Sequence, residues 1–248
     1  MDTLKKTLYA AKDNLSFLLM CFAVFAGLFL IAFLFERLLV KNRKKFSDTH
    51  YISYTAIFST MAAVLMLLEI PLFFAPSFYK MDLSELPIMI CTFYLGPVDG
   101  VTAEFIKVFL KLLIKGSSTA FVGDFANFAV GCSFVLPASI LYHAKPSKKT
   151  ALWGMILGTA VMTVFGSAFN ALYLIPKFAQ LFHMELEKIV AMGTSVNAKI
   201  TDVYTLVLYA VVPFNLLKGV VVSALTFLLY KRISPLMHKG DANKIKKA

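Results

Sequence analysis

The chain has 248 residues, 59% of them hydrophobic and 16% charged, with a net charge of +11 and a mean hydropathy of +0.75. Soluble domains run to about 45–50% apolar and about 25% charged, so this balance excludes a soluble globular protein and gives an integral membrane protein. The positive residues lie between and after the apolar runs rather than on a face of their own, which reports membrane orientation and anionic headgroups, with no nucleic-acid partner.

Leu15 to Phe35 is an uncharged run of 21 residues, flanked by Lys5, Lys6 and Lys12 before and by Arg37, Lys41, Arg43, Lys44 and Lys45 after. About 20 residues span a bilayer, and a signal-peptide core is shorter, so a retained transmembrane helix is predicted. Ile52 to Phe74 is the second span, with Glu69 near its end. A polar stretch follows, from Phe78 through Lys80, Asp82 and Glu85 to Pro87, with Pro71 and Pro76 before it. Such punctuation fixes a loop. It is either a solvated connector or, as expected here, the lid of a small-molecule pocket.

Leu86 to Gly96 is short for a span, and Gly96-Pro97-Val98-Asp99-Gly100 turns the chain. Val101 to Ile114 predicts a helix with Glu104, Lys107 and Lys111 on one face. Ala120 to Tyr142 and Ala151 to Ile175 are further spans, the latter ended by Pro176. Residues 177–201 form a mixed loop with a short amphipathic helix around 181–192. Asp202 to Tyr230 is the last span, bent at Pro213, and the basic tail from Lys231 is predicted to be disordered. The organisation is thus an N-terminal helix and linker (1–50), a six-helix membrane domain (51–232) and a tail (233–248).

Lys and Arg number 5, 3 and 6 in segments 37–50, 143–150 and 231–248, against 1, 1 and 3 in segments 75–86, 115–118 and 177–201. The richer set is predicted to be cytoplasmic, which puts the C-terminus inside and the lid loop outside.

Polar groups inside spans are costly and tend to be functional. Asp124 and Asn127 lie in one span, Asn170 in the next, and Asn215 with Lys218, three apart and past Pro213, in the last. The asparagines serve either as interhelical hydrogen-bonding glue or as readers of a ligand. Converging amides and one ammonium suit a flat, uncharged heterocycle rich in carbonyls and ring nitrogens. On the second span, Ala56, Thr60 and Ala63 make a small-residue face. It is either close packing within the bundle or a docking face for a partner's helices.

Cys21, Cys91 and Cys132 are far apart in apolar runs, and the four histidines fall in loops or at span ends, so no metal or catalytic cluster is indicated. No P-loop pattern is present. The chain is read as a non-enzyme without a cofactor. The rival readings are a proton-coupled secondary carrier relaying through Glu69, Asp124 or Glu104, and a purely structural membrane protein.

Lys80-x-Asp82-x-Ser84-x-x-Pro87, Leu95-Gly96-Pro97-x-x-Gly100, Ala126-Asn127-Phe128, Asn170 before Pro176, and Pro213-Phe214-Asn215-x-x-Lys218-Gly219 resemble the riboflavin-binding S component of energy-coupling factor (ECF) transporters over roughly residues 51–232. The resemblance implies an all-α, six-helix membrane bundle, here with one extra N-terminal helix, that binds riboflavin or another flavin as transported substrate. Its extracellular loop closes over the vitamin. It implies a cell-membrane location and docking, through Ala56, Thr60 and Ala63, on a transmembrane coupling protein with two cytoplasmic ATPases. Motif by motif, Asn127, Asn170, Asn215 and Lys218 would hydrogen-bond the flavin, and Tyr79, Lys80, Met81 and Asp82 would form the lid. Lys107 stays outside the implied set.

Overall fold

The computed structural model describes residues 15–40, 49–76 and 78–245, with side chains described within residues 19–230. In chain order the helices are α1 (Leu15–Leu39), α2 (Thr49–Leu67), α3 (Glu85–Tyr94), α4 (Pro97–Lys115), α5 (Val122–Ala144), α6 (Lys148–Phe169), α7 (Ile175–Leu181), α8 (Leu186–Thr194), α9 (Val203–Leu206) and α10 (Val212–Ile245). A two-stranded ribbon, β1 (Ile70–Pro71) and β2 (Lys80–Met81), pairs antiparallel between α2 and α3. π-turns Asn170–Leu174 and Val207–Val211 join α6 to α7 and α9 to α10 into continuous rods. The result is the expected all-α membrane bundle with one added helix, and four of its helical rods are long and apolar enough to cross a membrane.

The element that organises the bundle is a helix of 10 residues packed against four others. At about 1.5 Å per residue, α3 rises only roughly 15 Å, half of the ~30 Å hydrocarbon thickness. It packs against α2, α4, α5 and α10, and Ile88, Met89, Cys91 and Thr92 are fully enclosed. A helix walled in on all sides need not reach either surface. Its N-terminal turn therefore lies inside the bundle, and the polar residues that begin it are drawn in with it.

Three boundaries differ from the sequence reading, each for a local reason. The second span stops at Leu67 rather than Phe74, because β1 takes Ile70 and Pro71 into the ribbon. Pro176 does not end its helix. It sits two residues past a π-turn, as Pro213 does, and in both places the wide turn accommodates a ring that cannot donate to the preceding turn. The distortion expected at Pro213 thus lies one turn earlier, at Val207–Val211. The tail is helical through Ile245 rather than disordered, since a helix already nucleated adds one bond per residue. The N-terminal lysines and the linker's basic residues from Lys41 to Lys45 lie outside the described residues.

Helix α1 packs along α4 and α5. Phe25 meets Phe105 and Phe128 at ring separations of 4.4 and 5.9 Å. Glu36 accepts a hydrogen bond from Val98 N at 3.0 Å, satisfying a backbone donor in the first turn of α4. Gly96, at φ 139°, precedes that turn. An added Cβ there would be both strained and 2.7 Å from the Glu36 carboxylate.

Candidate substrate-binding site

A cavity of about 700 Å³ opens beneath the β-ribbon, within the ~300–1,000 Å³ typical of small-molecule sites. Phe78, Phe178 and Phe182 give it aromatic walls, while Lys80, Asp82 and Asn127 bring polar groups to its surface. Three elements shape it. The α4–α5 turn is pinned by Asp124, which accepts from Lys111 at 2.5 Å and Ser117 at 2.6 Å. The ribbon is pinned by Glu69, which holds Lys80 of β2 and Lys115 of α4, each at 2.9 Å. Partial burial opposes ionisation of Glu69, but hydrogen bonds from the two ammonium groups, and their charges, outweigh it and hold its carboxyl below the ordinary range. The π-turns supply the third. Tyr79 donates to Asn170 Oδ1 at 2.7 Å and packs against Phe214 at 5.6 Å between ring centres, so the loop rests on the first π-turn and on the first turn of α10, just past the second.

Below the loop lies a buried ionic cluster. Lys218 Nζ of α10 is 3.2 Å from Asp82 Oδ2 and 3.3 Å from Glu85 Oε1. Lys107 Nζ of α4 is 3.4 Å from the same Glu85 oxygen and 2.6 Å from Glu104 Oε2. Ser84 contributes its N–H to Asp82 and its hydroxyl to Glu85, at 2.9 and 2.8 Å. All five charged side chains are buried. Gly131 of α5 makes room for them: a Cβ there would lie 2.8 Å from the Glu104 carboxyl.

Of the eight residues assigned to the ligand, Lys80, Asp82 and Asn127 line the cavity, and Tyr79, Met81, Asn170, Asn215 and Lys218 do not. Asp82 links the two groups by facing the cavity and bonding Lys218. Lys218, an intramembrane ammonium that needs either a partner or a polar ligand, is paired here with two carboxylates. Asn170 is satisfied by Tyr79 and by donating to Gly166 O at 2.7 Å. Two amide atoms differ. Asn127 Oδ1 and Asn215 Nδ2 are out of solvent with no hydrogen-bond partner among the described residues, which leaves one acceptor and one donor to be met by something else.

Sequence reasoning missed Glu85, Glu104 and Lys107 as members of this centre. For Glu104 and Lys107 the signal was present, since they share one face of α4 with Lys111, whereas Glu85 begins α3 with no such pattern around it. The three carboxylates named as proton relays, Glu69, Asp124 and Glu104, each sit on a lysine instead. On the small-residue face, Ala56 and Thr60 are exposed, but Ala63 is 1% exposed and faces the bundle. The expected outer face is therefore corrected to Ala56 and Thr60, flanked by Ile57, Met61 and Val64.

The family described as ECF transporter, substrate-specific component, matches residues 50–230. The chain is 32% identical over 181 residues to the riboflavin transporter FmnP of Bacillus subtilis (strain 168), covering 73% of this chain and 90% of that one. It is 32% identical over 184 residues to the riboflavin transporter RibU of Staphylococcus aureus (strain TCH60), covering 74% and 90%. A solved structure, described as the S component of a bacterial ECF transporter, superposes with a TM-score of 0.60 at 30% identity, over 77% of this chain and 99% of that one.

Proposed function

The chain belongs to the substrate-specific components of ECF transporters, and from that premise we propose that it binds riboflavin in the cavity under the β-ribbon and hands it to an energising module. It is a transporter component rather than an enzyme. The observation that carries the ligand assignment is a cavity with aromatic walls and an orphaned amide acceptor, Asn127 Oδ1, on its lining, with a second orphaned amide atom, Asn215 Nδ2, buried outside that lining. A flavin offers a flat ring system that stacks on aromatic side chains, with carbonyls and N–H groups side by side on its edge. The relatives named as riboflavin transporters support the same ligand.

In this reading residues 69–84 are the extracellular lid, held by Glu69 and Tyr79, and the C-terminus is cytoplasmic. Domain limits follow the membrane core, 51–232, preceded by the α1 segment and followed by the tail. The partners are a transmembrane coupling protein and two ATPases, with Ala56 and Thr60 as the contact face. A self-contained proton-coupled carrier fits less well, because each carboxylate it would use is already neutralised by a lysine.

The test is a titration of detergent-solubilised protein, purified from flavin-depleted cells, that follows quenching of flavin fluorescence. Saturation at one flavin per chain is expected without ATP or an ion gradient. A folded protein that quenches nothing overturns the ligand assignment. Ala56→Trp, on an exposed face away from the cavity, should leave that titration unchanged and abolish uptake in cells that contain the energising module. Undiminished uptake removes Ala56 from the contact face.

A further inference from the structure

A second concavity owes its existence to the helix that precedes the family's matched residues. Helix α1 packs on α5, and together with Leu157 of α6 the two helices border an apolar groove of about 550 Å³. Leu28, Ile31 and Phe35 of α1, Leu136 and Ile140 of α5 and Leu157 of α6 form its walls, and no polar surface faces it. Along α1 it runs from Leu28 to Leu39, roughly 16 Å at about 1.5 Å per residue. One leaflet of a bilayer is roughly 15 Å of hydrocarbon, half the ~30 Å core. The groove thus matches one acyl chain lying along one leaflet.

Its end is marked by Leu39 and Ala144, and the residues around that end are basic. Arg37, Lys145, Lys148 and Lys149 are all exposed, and none is ion-paired to a described residue. Asp124, at the opposite end of α5, is paired with Lys111, and no Asp or Glu occurs between it and Glu185, so nothing in the rest of α5, in α6 or in their connection offsets this charge. An apolar slot one leaflet deep that ends in a cationic cluster is complementary to an anionic lipid, its chain in the slot and its phosphate among the lysines. We propose that the α1–α5–α6 groove is a binding site for an anionic phospholipid of the phosphatidylglycerol class.

The protein carries its own reporter. Trp153 is the only tryptophan, is 62% exposed, and precedes groove-lining Leu157 by one turn on the same helix face. The full-length protein is reconstituted in vesicles of phosphatidylcholine in which a fixed fraction is replaced by chain-brominated phosphatidylglycerol or by chain-brominated phosphatidylcholine. The brominated anionic lipid should quench Trp153 at least threefold more effectively. Arg37→Gln with Lys145→Gln, Lys148→Gln and Lys149→Gln should abolish the preference. Ala144→Phe keeps every charge but blocks the exposed mouth, and Ser133→Phe fills the middle, so each should abolish it too. Both block variants are accepted only with an unchanged thermal melt. Equal quenching by the two lipids overturns the proposal, as does the absence of quenching by either, which would mean a protein helix fills the groove. A preference that survives both block variants shows only general attraction of anionic lipid to a basic surface and also overturns it. So does a preference erased by inorganic phosphate, which would make the cluster a phosphate site.

Discussion

Lys107→Met should destabilise the purified protein more than any other single substitution in the membrane core, by about 3–5 kcal/mol, the cost of leaving a buried ion without its partner. Lys107 is fully buried, and among the described residues it is the one cation ion-paired with Glu104, at 2.6 Å. Removing it strands that carboxylate in the bundle interior and takes one of two lysines from Glu85. Methionine fills most of the volume, so cavity formation contributes little and the measured loss reports the charge. Adding Glu104→Gln to Lys107→Met should recover most of the loss, because the amide has no charge to strand. The coupling in that double-mutant cycle, read from thermal or chemical unfolding in detergent, is the diagnostic quantity. If Lys107→Met melts with the parent protein, the cluster is not holding the bundle together.

The cluster follows from the geometry of α3. A helix of 10 residues cannot bring both its ends to the membrane surfaces, so Asp82, Ser84 and Glu85 enter the interior at its N-terminus. Burying two carboxylates there, beside Glu104 of α4, is tolerable only where cations meet them, and α4 and α10 each supply one. The same lysines therefore fasten the end of the lid loop to two helices far apart in sequence. Lys218→Ala is thus not a clean probe of ligand contact, since it would also unpair Asp82 and Glu85.

Much of this was legible in the residues. Apolar run lengths marked α1, α5, α6 and α10, and the proline cluster placed the loop over the cavity. The Pro-Phe-Asn-x-x-Lys-Gly stretch pointed to Asn215 and Lys218. What was hidden depended on partners distant in sequence. Nothing near Lys218 shows that it meets Asp82, 136 positions earlier, and nothing near Glu85 shows that it shares an oxygen between two lysines. The face carried by Ala63 was misread because small residues are equally suited to helix contact inside a bundle and to contact with a partner. Pro176 was misread because a π-turn is not encoded by local composition: the helix continued past the ring, where proline ordinarily breaks it.

Asn215→Leu should move stability and binding in opposite directions, and that opposition separates a ligand contact from structural glue. Asn215 is 3% exposed, and its Nδ2 has no acceptor among the described residues. A buried amide that lacks a partner costs about 1–3 kcal/mol, so an isosteric leucine should leave the flavin-free protein as stable as before or more so. If riboflavin supplies the missing acceptor, the same substitution removes a hydrogen bond from the complex. The expected weakening is about 1–3 kcal/mol, or roughly 5- to 150-fold in Kd. Asn127→Leu should behave alike through its Oδ1, the orphaned acceptor on the cavity wall. Flavin-fluorescence titration and the melting temperature of the flavin-free protein decide the matter together. A melt that falls while affinity holds would make Asn215 an interhelical strut. The ligand would then have to be read by the residues that line the cavity, Lys80, Asp82 and Asn127.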